Sequence, residues 1–318
     1  MHILVTGGAG FIGSHLCEKL LKRGNKVVCL DNLSTGSIAN IAPLLDNQNF
    51  KHYQCDVREK NNLLEIFKQE EVELIYHLAA VVGVKRTVEN PKDVLEVNIN
   101  GTVNVLEAAL KSGCQKVANI SSSEVYGNPV EVPENENSPK NVELPYAISK
   151  LVAEKYAQIY YEKYGLKTTS LRLFNVYGPR QEATPYGFVV GIFIKRVLQD
   201  KPPIIYGDGF QTRDFTYIED CILPTIVAGE SESANGEVFN IAAGKPVTIL
   251  DLAELIIEMC GKNLNPVFEP EREFEIRHRF ADVSKMRTII GYKPKFDLKE
   301  GLKFTIEWYK QNLLVTNR

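Results

Sequence analysis

The first 31 residues narrow the fold more than any other part of the chain. Met1 to Thr6, in M-H-I-L-V-T, read as a short buried strand, and Phe11 to Lys22 read as a helix. Between them Gly7, Gly10 and Gly13 fall at G-x-x-G-x-x-G spacing. Glycine is needed where the backbone turns sharply and must approach a pyrophosphate closely. A helix N-terminus adds free N–H groups and partial positive charge. Asp31 closes the following strand, Lys26 to Leu30, 18 residues after Gly13. A carboxylate there can accept hydrogen bonds from both hydroxyls of an adenosine ribose and would repel a 2′-phosphate, which favours NAD over NADP. A glycine run alone could mark only a tight turn. Strand, glycines, helix, strand and acid in that order point to a dinucleotide cradle.

The pattern that follows alternates strand and helix, which predicts an α/β fold of Rossmann type: a doubly wound parallel sheet with right-handed crossovers. Strands are expected at 51–53, 74–78, 116–121 and 167–173, and helices at 61–70, 91–112 and 146–164, the last closed by Gly165. From about Asn175 proline, glycine and aromatic residues become frequent, with helices expected at 189–199 and 249–259. Residues 1–175 therefore read as the dinucleotide-binding domain, with later segments (roughly 205–240) returning to its sheet. Residues 176–318 read as a smaller substrate-binding lobe.

At 318 residues the chain has room for two such parts, and a net charge of −3 gives no reason to invoke nucleic acid or a membrane surface. The six cysteines are scattered without a C-x-x-C pair, and the five histidines lack H-E-x-x-H spacing. Neither a disulfide frame nor a metal site is expected. The first strand begins at the first residue and no apolar run approaches a membrane span, so a cytoplasmic protein is expected.

Tyr146 and Lys150 are one helical turn apart and share a face, and Ser121-Ser122-Ser123-Glu124 follows a predicted strand end, where open α/β sheets bind ligands. A phenol near pKa ~10 is a poor base at neutral pH. A neighbouring ammonium and a positively charged nicotinamide favour its phenolate, and the Ser122 hydroxyl can guide a substrate proton to it. This is general-base chemistry coupled to hydride transfer.

The chain resembles the extended short-chain dehydrogenases/reductases, in the branch of NAD-dependent nucleotide-sugar epimerases and dehydratases. The motifs run nearly end to end: T-G-G-A-G-F-I-G, D-N-L-S-T-G, H-L-A-A, N-I-N-G-T, S-S-S-E-V-Y-G, Y-A-I-S-K, F-N-V-Y-G-P-R-Q and Y-G-D-G-F-Q-T-R-D-F. The resemblance implies that Gly7, Gly10, Phe11, Ile12 and Gly13, with Asp31, Asn32, Ser34 and Gly36, hold the cofactor. It places Asp56 and Val57 at the adenine, Leu78, Ala79, Ala80 and Asn98 along the dinucleotide, and Lys150 also on the nicotinamide ribose. Ser122, Ser123 and Asn175 would meet the sugar or phosphate oxygens. Arg213 and Arg272 would grip a nucleotide diphosphate, a task suited to planar guanidinium groups. Without its motif, Arg213 could equally be a surface partner of Asp214. Phe274 stands where the family commonly has glycine. A homodimer through the 91–112 and 146–164 helices is also implied, although Val94, Val97, Val105, Leu151 and Ile159 could equally be sheet-facing stripes.

Several reactions share one opening step, oxidation at C4 of a nucleotide-bound hexose. The longest matched segments, including 186–194, resemble 4-epimerases, so the expected activity is 4-epimerisation of a UDP-hexose. Glu124 and Arg279 instead resemble the pattern of UDP-glucuronate decarboxylases and some 4,6-dehydratases, where they could handle a C5 carboxylate or proton. Alternatively, Glu124 bonds local backbone and Arg279 pairs with an acid such as Glu275. A non-catalytic NAD sensor on the same fold is a third reading, opposed by the complete Ser122, Tyr146 and Lys150 set.

Overall fold

The computed structural model describes residues 1–182, 188–272 and 275–316. Phe274, and Tyr186 and Gly187 of the 186–194 segment, lie outside them. Six strands appear in the order of the first half of the chain: β1 (His2–Thr6), β2 (Lys26–Asp31), β3 (Phe50–Gln54), β4 (Leu74–His77), β5 (Lys116–Ser122) and β6 (Lys167–Leu173). With Val238–Ile241 they make a seven-stranded sheet, ordered Val238–Ile241, β6, β5, β4, β1, β2, β3. All of its pairings are parallel. β1 and β5 are buried along almost their whole length, as expected of strands covered on both faces. The strand order reverses beside β1, which opens a crevice at the carboxyl ends of β1 and β4.

Helices fill both faces of the sheet. Phe11–Lys22 buries Leu16, Cys17 and Leu20 against a core that includes Tyr76, Cys221 and Ile222. Lys60–Gln69 and Gly101–Ser112 close the other face with Leu63, Phe67, Val105 and Leu106. The segment expected as one helix from residue 91 to 112 is continuous but underwound in its middle. Pro91–Val94 and Gly101–Ser112 flank a π-helical stretch, Leu95–Asn100, that turns Asn98 inward. Two further helices were not evident in the sequence pattern. Ile218–Glu230 carries Pro224 inside it, and Leu298–Thr316 ends the described chain. Ile218–Glu230 is mostly buried, so it shows no alternating face to read.

The Pro145–Tyr164 helix carries Tyr146 and Lys150, and its placement rests on buried charges. It starts with Pro145 in its first turn and stops at Gly165, whose φ of 72° suits a left-handed cap. Glu154, on this helix, accepts two bonds from Arg172 on β6, Nε to Oε1 at 2.9 Å and Nη2 to Oε2 at 2.7 Å. Its Oε1 also accepts from Ser121 Oγ on β5 at 2.5 Å. Both partners of the ion pair are buried. Removing one would strand the other in a medium that cannot solvate it. Glu154→Ala is therefore expected to cost about 3–5 kcal/mol of stability, read as a lower urea midpoint; an unchanged midpoint would contradict this account of the helix anchor.

Candidate active site

A cavity of about 480 Å³ runs across the carboxyl ends of the sheet, from Asp31 and Ser34 at one end to Tyr146, Lys150 and Asn175 at the other. Gly7, Gly10, Phe11, Ile12 and Gly13 form its floor, and Leu78, Ala79 and Ala80 one wall. The glycines are there for space. At Gly7 (φ 68°) a Cβ would come within 2.9 Å of the Ala79 nitrogen, and at Gly13 within 2.1 Å of the Gly7 carbonyl oxygen. Gly36 lies outside the wall and packs on the Asp31 carboxylate, which a Cβ there would meet at 2.8 Å.

Asp31 is held by its neighbours rather than by a cation. Its Oδ2 accepts from the Ala9 N–H at 3.0 Å and its Oδ1 from the Leu33 N–H at 2.8 Å. A carboxylate has about four acceptor sites, so the remainder can face a diol in the cavity. Asn32 lines the cavity but spends its amide on Asp56, donating to Oδ2 at 2.7 Å. Arg58 lies against the same carboxylate, and its hydrogen bonds hold the Asp56 carboxyl down to about 2. Among the described residues Val57 lines the wall and Asp56 stands behind it.

At the other end Ser122, Ser123, Glu124, Tyr146 and Lys150 face one space. Lys150 is buried and donates from Nζ to the Ile120 carbonyl at 2.7 Å. Burial lowers its ammonium to about 8, with Glu154 pulling the other way. Burial pushes the Tyr146 phenol up to about 12, and the Ser122 hydroxyl opposes that rise. Without a further positive charge in the cavity, Tyr146 is a neutral phenol at pH 7. Asn175 has a left-handed backbone (φ 26°), and its buried Nδ2 has no partner among the described residues. An orphaned amide on a cavity wall is a ready donor for a ligand oxygen.

The three arginines do not line this cavity among its described walls. Arg279 is buried, donates from Nη1 to Glu124 Oε1 at 2.5 Å, and reaches the Gly127 carbonyl with Nη2. Arg213 pairs with Glu275 and donates to the Ile276 carbonyl at 2.7 Å. The pairings differ from the sequence alternatives: Glu275 belongs to Arg213, and the acid on Arg279 is Glu124. Asp214 is no surface partner of Arg213, because it is buried and accepts backbone N–H groups of Ala243, Gly244 and Ala281. Arg272 is exposed and lies over the Tyr206 ring at 3.8 Å.

The sequence matches the family model described as GDP-mannose 4,6 dehydratase over residues 4–305, nearly its whole length. The chain belongs to the GDP-mannose 4,6 dehydratase family. Relatives within reach of this family carry different activities. The chain is 39% identical over 311 residues to a putative UDP-glucose 4-epimerase of Methanocaldococcus jannaschii, covering 98% of this chain and 99% of that one. It is 38% identical over 320 residues to the UDP-N-acetyl-alpha-D-glucosaminuronate decarboxylase of Bacillus cytotoxicus, covering 97% of each. Its structure matches that of UDP-glucuronic acid 4-epimerase from Bacillus cereus, in complex with UDP-glucuronic acid and NAD, with a TM-score of 0.91. The two are 35% identical, and the match covers 98% of this chain and 100% of the other.

In this member of the dehydratase family the wall at Leu78–Val81 is shaped by a polar relay that motif spacing does not reveal. Thr6 Oγ1 accepts from the N–H groups of Leu78 and Ala79, both at 3.1 Å. Its single proton must then go to His77 Nδ1, 2.7 Å away. His77 Nε2 is left to donate to Thr102 Oγ1 at 3.0 Å, since Thr102 itself donates to the Asn98 carbonyl. The ring is neutral, and burial lowers it to about 3. Asn98 also stands one layer back: it brackets Val81, accepting from its N–H at 2.7 Å and donating to its carbonyl at 3.0 Å. Its link to the cavity runs through that loop. Thr6→Val keeps the shape and leaves the Leu78 N–H its bond to the Thr6 carbonyl at 3.1 Å, but orphans the Ala79 N–H, so a loss of about 1–3 kcal/mol is expected. Amide exchange at Ala79 should accelerate with it, more than at Leu78; unchanged exchange at Ala79 would contradict the relay.

Proposed function

We propose that this chain is an NAD-dependent nucleotide-sugar 4-epimerase acting on a UDP-hexose. The observation that carries the reading is a single cavity joining the glycine floor and Asp31 to Ser122, Tyr146 and Lys150. The cradle fits NAD: the close approach of Gly7 to Ala79 leaves room for phosphates over the helix N-terminus, and Asp31 keeps acceptor sites for a ribose diol. Gly7, Gly10, Phe11, Ile12, Gly13, Asp31, Asn32 and Ser34 would hold it directly, with Val57 and Leu78 to Ala80. Gly36, Asp56 and Asn98 would support that wall. NAD, when bound, supplies the hydride acceptor at the sugar C4 and later the hydride donor. Residues 1–175 form the cofactor part in this reading, and residues 176–318 the sugar-holding lobe.

The chain's own groups handle the proton. Tyr146 takes the C4 hydroxyl proton and returns it after the 4-keto sugar has turned over, with Ser122 sharing the sugar oxygen. Lys150 supplies a nearby positive charge and lowers the cost of the phenolate. Asn175 donates to a sugar or phosphate oxygen, and Arg213 and Arg272 hold the diphosphate. Tyr146→Phe should reduce turnover by roughly a hundredfold or more while NAD binding stays within about twofold, measured by product formation and by calorimetry. Equal turnover would end the assignment of the base.

The second reading, decarboxylation of a UDP-uronate, draws on Glu124 lying in the wall beside Ser122. The geometry favours epimerisation, because Arg279 is spent on Glu124 and Gly127 and presents no open fork to a substrate carboxylate. Proton NMR of the purified protein with NAD and UDP-glucose, UDP-N-acetylglucosamine or UDP-glucuronate separates the two. A C4 epimer with all carbons retained is expected; a pentose or 4-keto-6-deoxy product would replace this reading with the second.

We also propose a homodimer through the Pro145–Tyr164 helix. Val94 and Val105 are core residues and cannot take part, but Ile148, Tyr156 and Ile159 are exposed on that helix, with Leu95 exposed nearby in sequence on its expected partner. Sedimentation at micromolar concentration should give the mass of two subunits, and a single-subunit mass would overturn the dimer.

A further inference from the structure

Glu134 is the least expected charge in the molecule. It is 1% exposed, and neither carboxylate oxygen has a hydrogen-bond partner among the described residues. Its backbone leaves it little freedom. The Glu134 N–H donates to the Phe280 carbonyl at 2.9 Å, and its own carbonyl accepts from the Asp282 N–H at 2.8 Å and from Asn240 Nδ2 at 2.9 Å. The same pairing brings Arg279 alongside. Arg279 Nε lies 3.9 Å from Glu134 Oε2 and is itself without a hydrogen-bond partner. Its Nη1 holds Glu124, which lines the cavity beside Tyr146.

One buried guanidinium thus stands between two carboxylates, only one of which reaches the cavity. We propose that Glu134 is a positioning residue for the reaction: it competes with Glu124 for Arg279 and so sets how firmly Glu124 is neutralised at the cavity wall. The inference rests on the epimerase reading for its readout. A shift of about 1 Å would bring Arg279 Nε into hydrogen-bond range of Glu134, at the expense of its bond to Glu124.

The competition is titratable. Burial pushes the Glu134 carboxyl up to about 7, with Arg279 opposing and Glu124 reinforcing the rise. The charged groups around it are Arg279 and Asp282 on the 278–282 segment, Arg213 on the Thr212–Asp214 strand, Arg172 on β6, Glu124 beyond Arg279, and Glu136 on its own segment. Below about pH 7 Glu134 holds its proton, and Arg279 is committed to Glu124. As the pH rises through that value Glu134 ionises and draws the guanidinium away. Glu124 then places a less compensated negative charge near Tyr146, where, after burial, it too raises the phenol. The phenolate becomes harder to form, and turnover falls relative to a chain that lacks the competitor.

The test is the ratio of kcat for Glu134→Gln over wild type as a function of pH, with both holoenzymes assayed for the C4 epimer. Taking the ratio cancels the titrations of Lys150 and Tyr146 that the two proteins share. The ratio should stay near one below about pH 6 and climb to roughly threefold above about pH 8, equivalent to half a pKa unit on Tyr146. A ratio flat across this range would make Glu134 merely structural and overturn the proposal. Arg279→Lys provides the second variant, because an ammonium cannot span both acids. It should lose the wild-type pH step even if Glu134→Gln fails to fold; a step retained in Arg279→Lys would equally overturn the proposal. Absence of any epimer from the wild type would instead refute the epimerase reading.

Discussion

Lys150 and Glu154 sit one turn apart on the Pro145–Tyr164 helix, and between them they fasten that helix to β5. Lys150 bonds the Ile120 carbonyl, and Glu154 bonds the next side chain along, Ser121, while taking both arms of Arg172 from β6. Two strands and one helix are thereby locked in register within a few residues of Ser122 and Tyr146. The arrangement carries a desolvation cost, since an amine and an ion pair are all buried. What it secures is position. Tyr146, Ser122 and Lys150 face one space, which is the condition for the proposed proton transfer to run without reorganisation.

Charge is handled differently in the C-terminal part of the chain. The segment from residue 275 to 282 is tied down by pairs on both flanks: Arg213 with Glu275, Arg277 with Asp208, and Arg279 with Glu124. Bridges of Thr212 to His278 and Glu134 to Ala281 add backbone support. Of the two arginines proposed for a diphosphate, Arg213 is therefore held by an internal carboxylate, whereas Arg272 lies over the Tyr206 ring. In the proposed role a diphosphate would compete with Glu275 for Arg213, and the partial burial of that guanidinium would make the exchange sensitive to geometry.

The sequence was most legible where function is local. The glycine spacing, Asp31 and the Tyr146–Lys150 turn all lie within single strand–helix units, and the strand from Lys167 to Leu173 and the helix from Ile249 to Met259 have the ends their patterns suggest. Contacts made by chain return were not legible. Arg279 lies 155 residues from Glu124, and nothing in the spacing of either distinguishes that pairing from one with Glu275. The family resemblance implies that Asn98 lies along the cofactor. The π-helical stretch turns it inward onto Val81, an effect of packing that periodicity does not encode. Glu134 is illegible for the same reason: its burial depends on a segment that bridges to it from about 145 residues further on.

The central claim is that the hydrogen leaving C4 returns to C4. UDP-glucose carrying deuterium at C4, incubated with the NAD-loaded protein in ordinary water, tests it most directly. Transient oxidation with internal return predicts a C4 epimer that keeps its deuterium. Epimer formed with the label washed out into solvent would contradict the account.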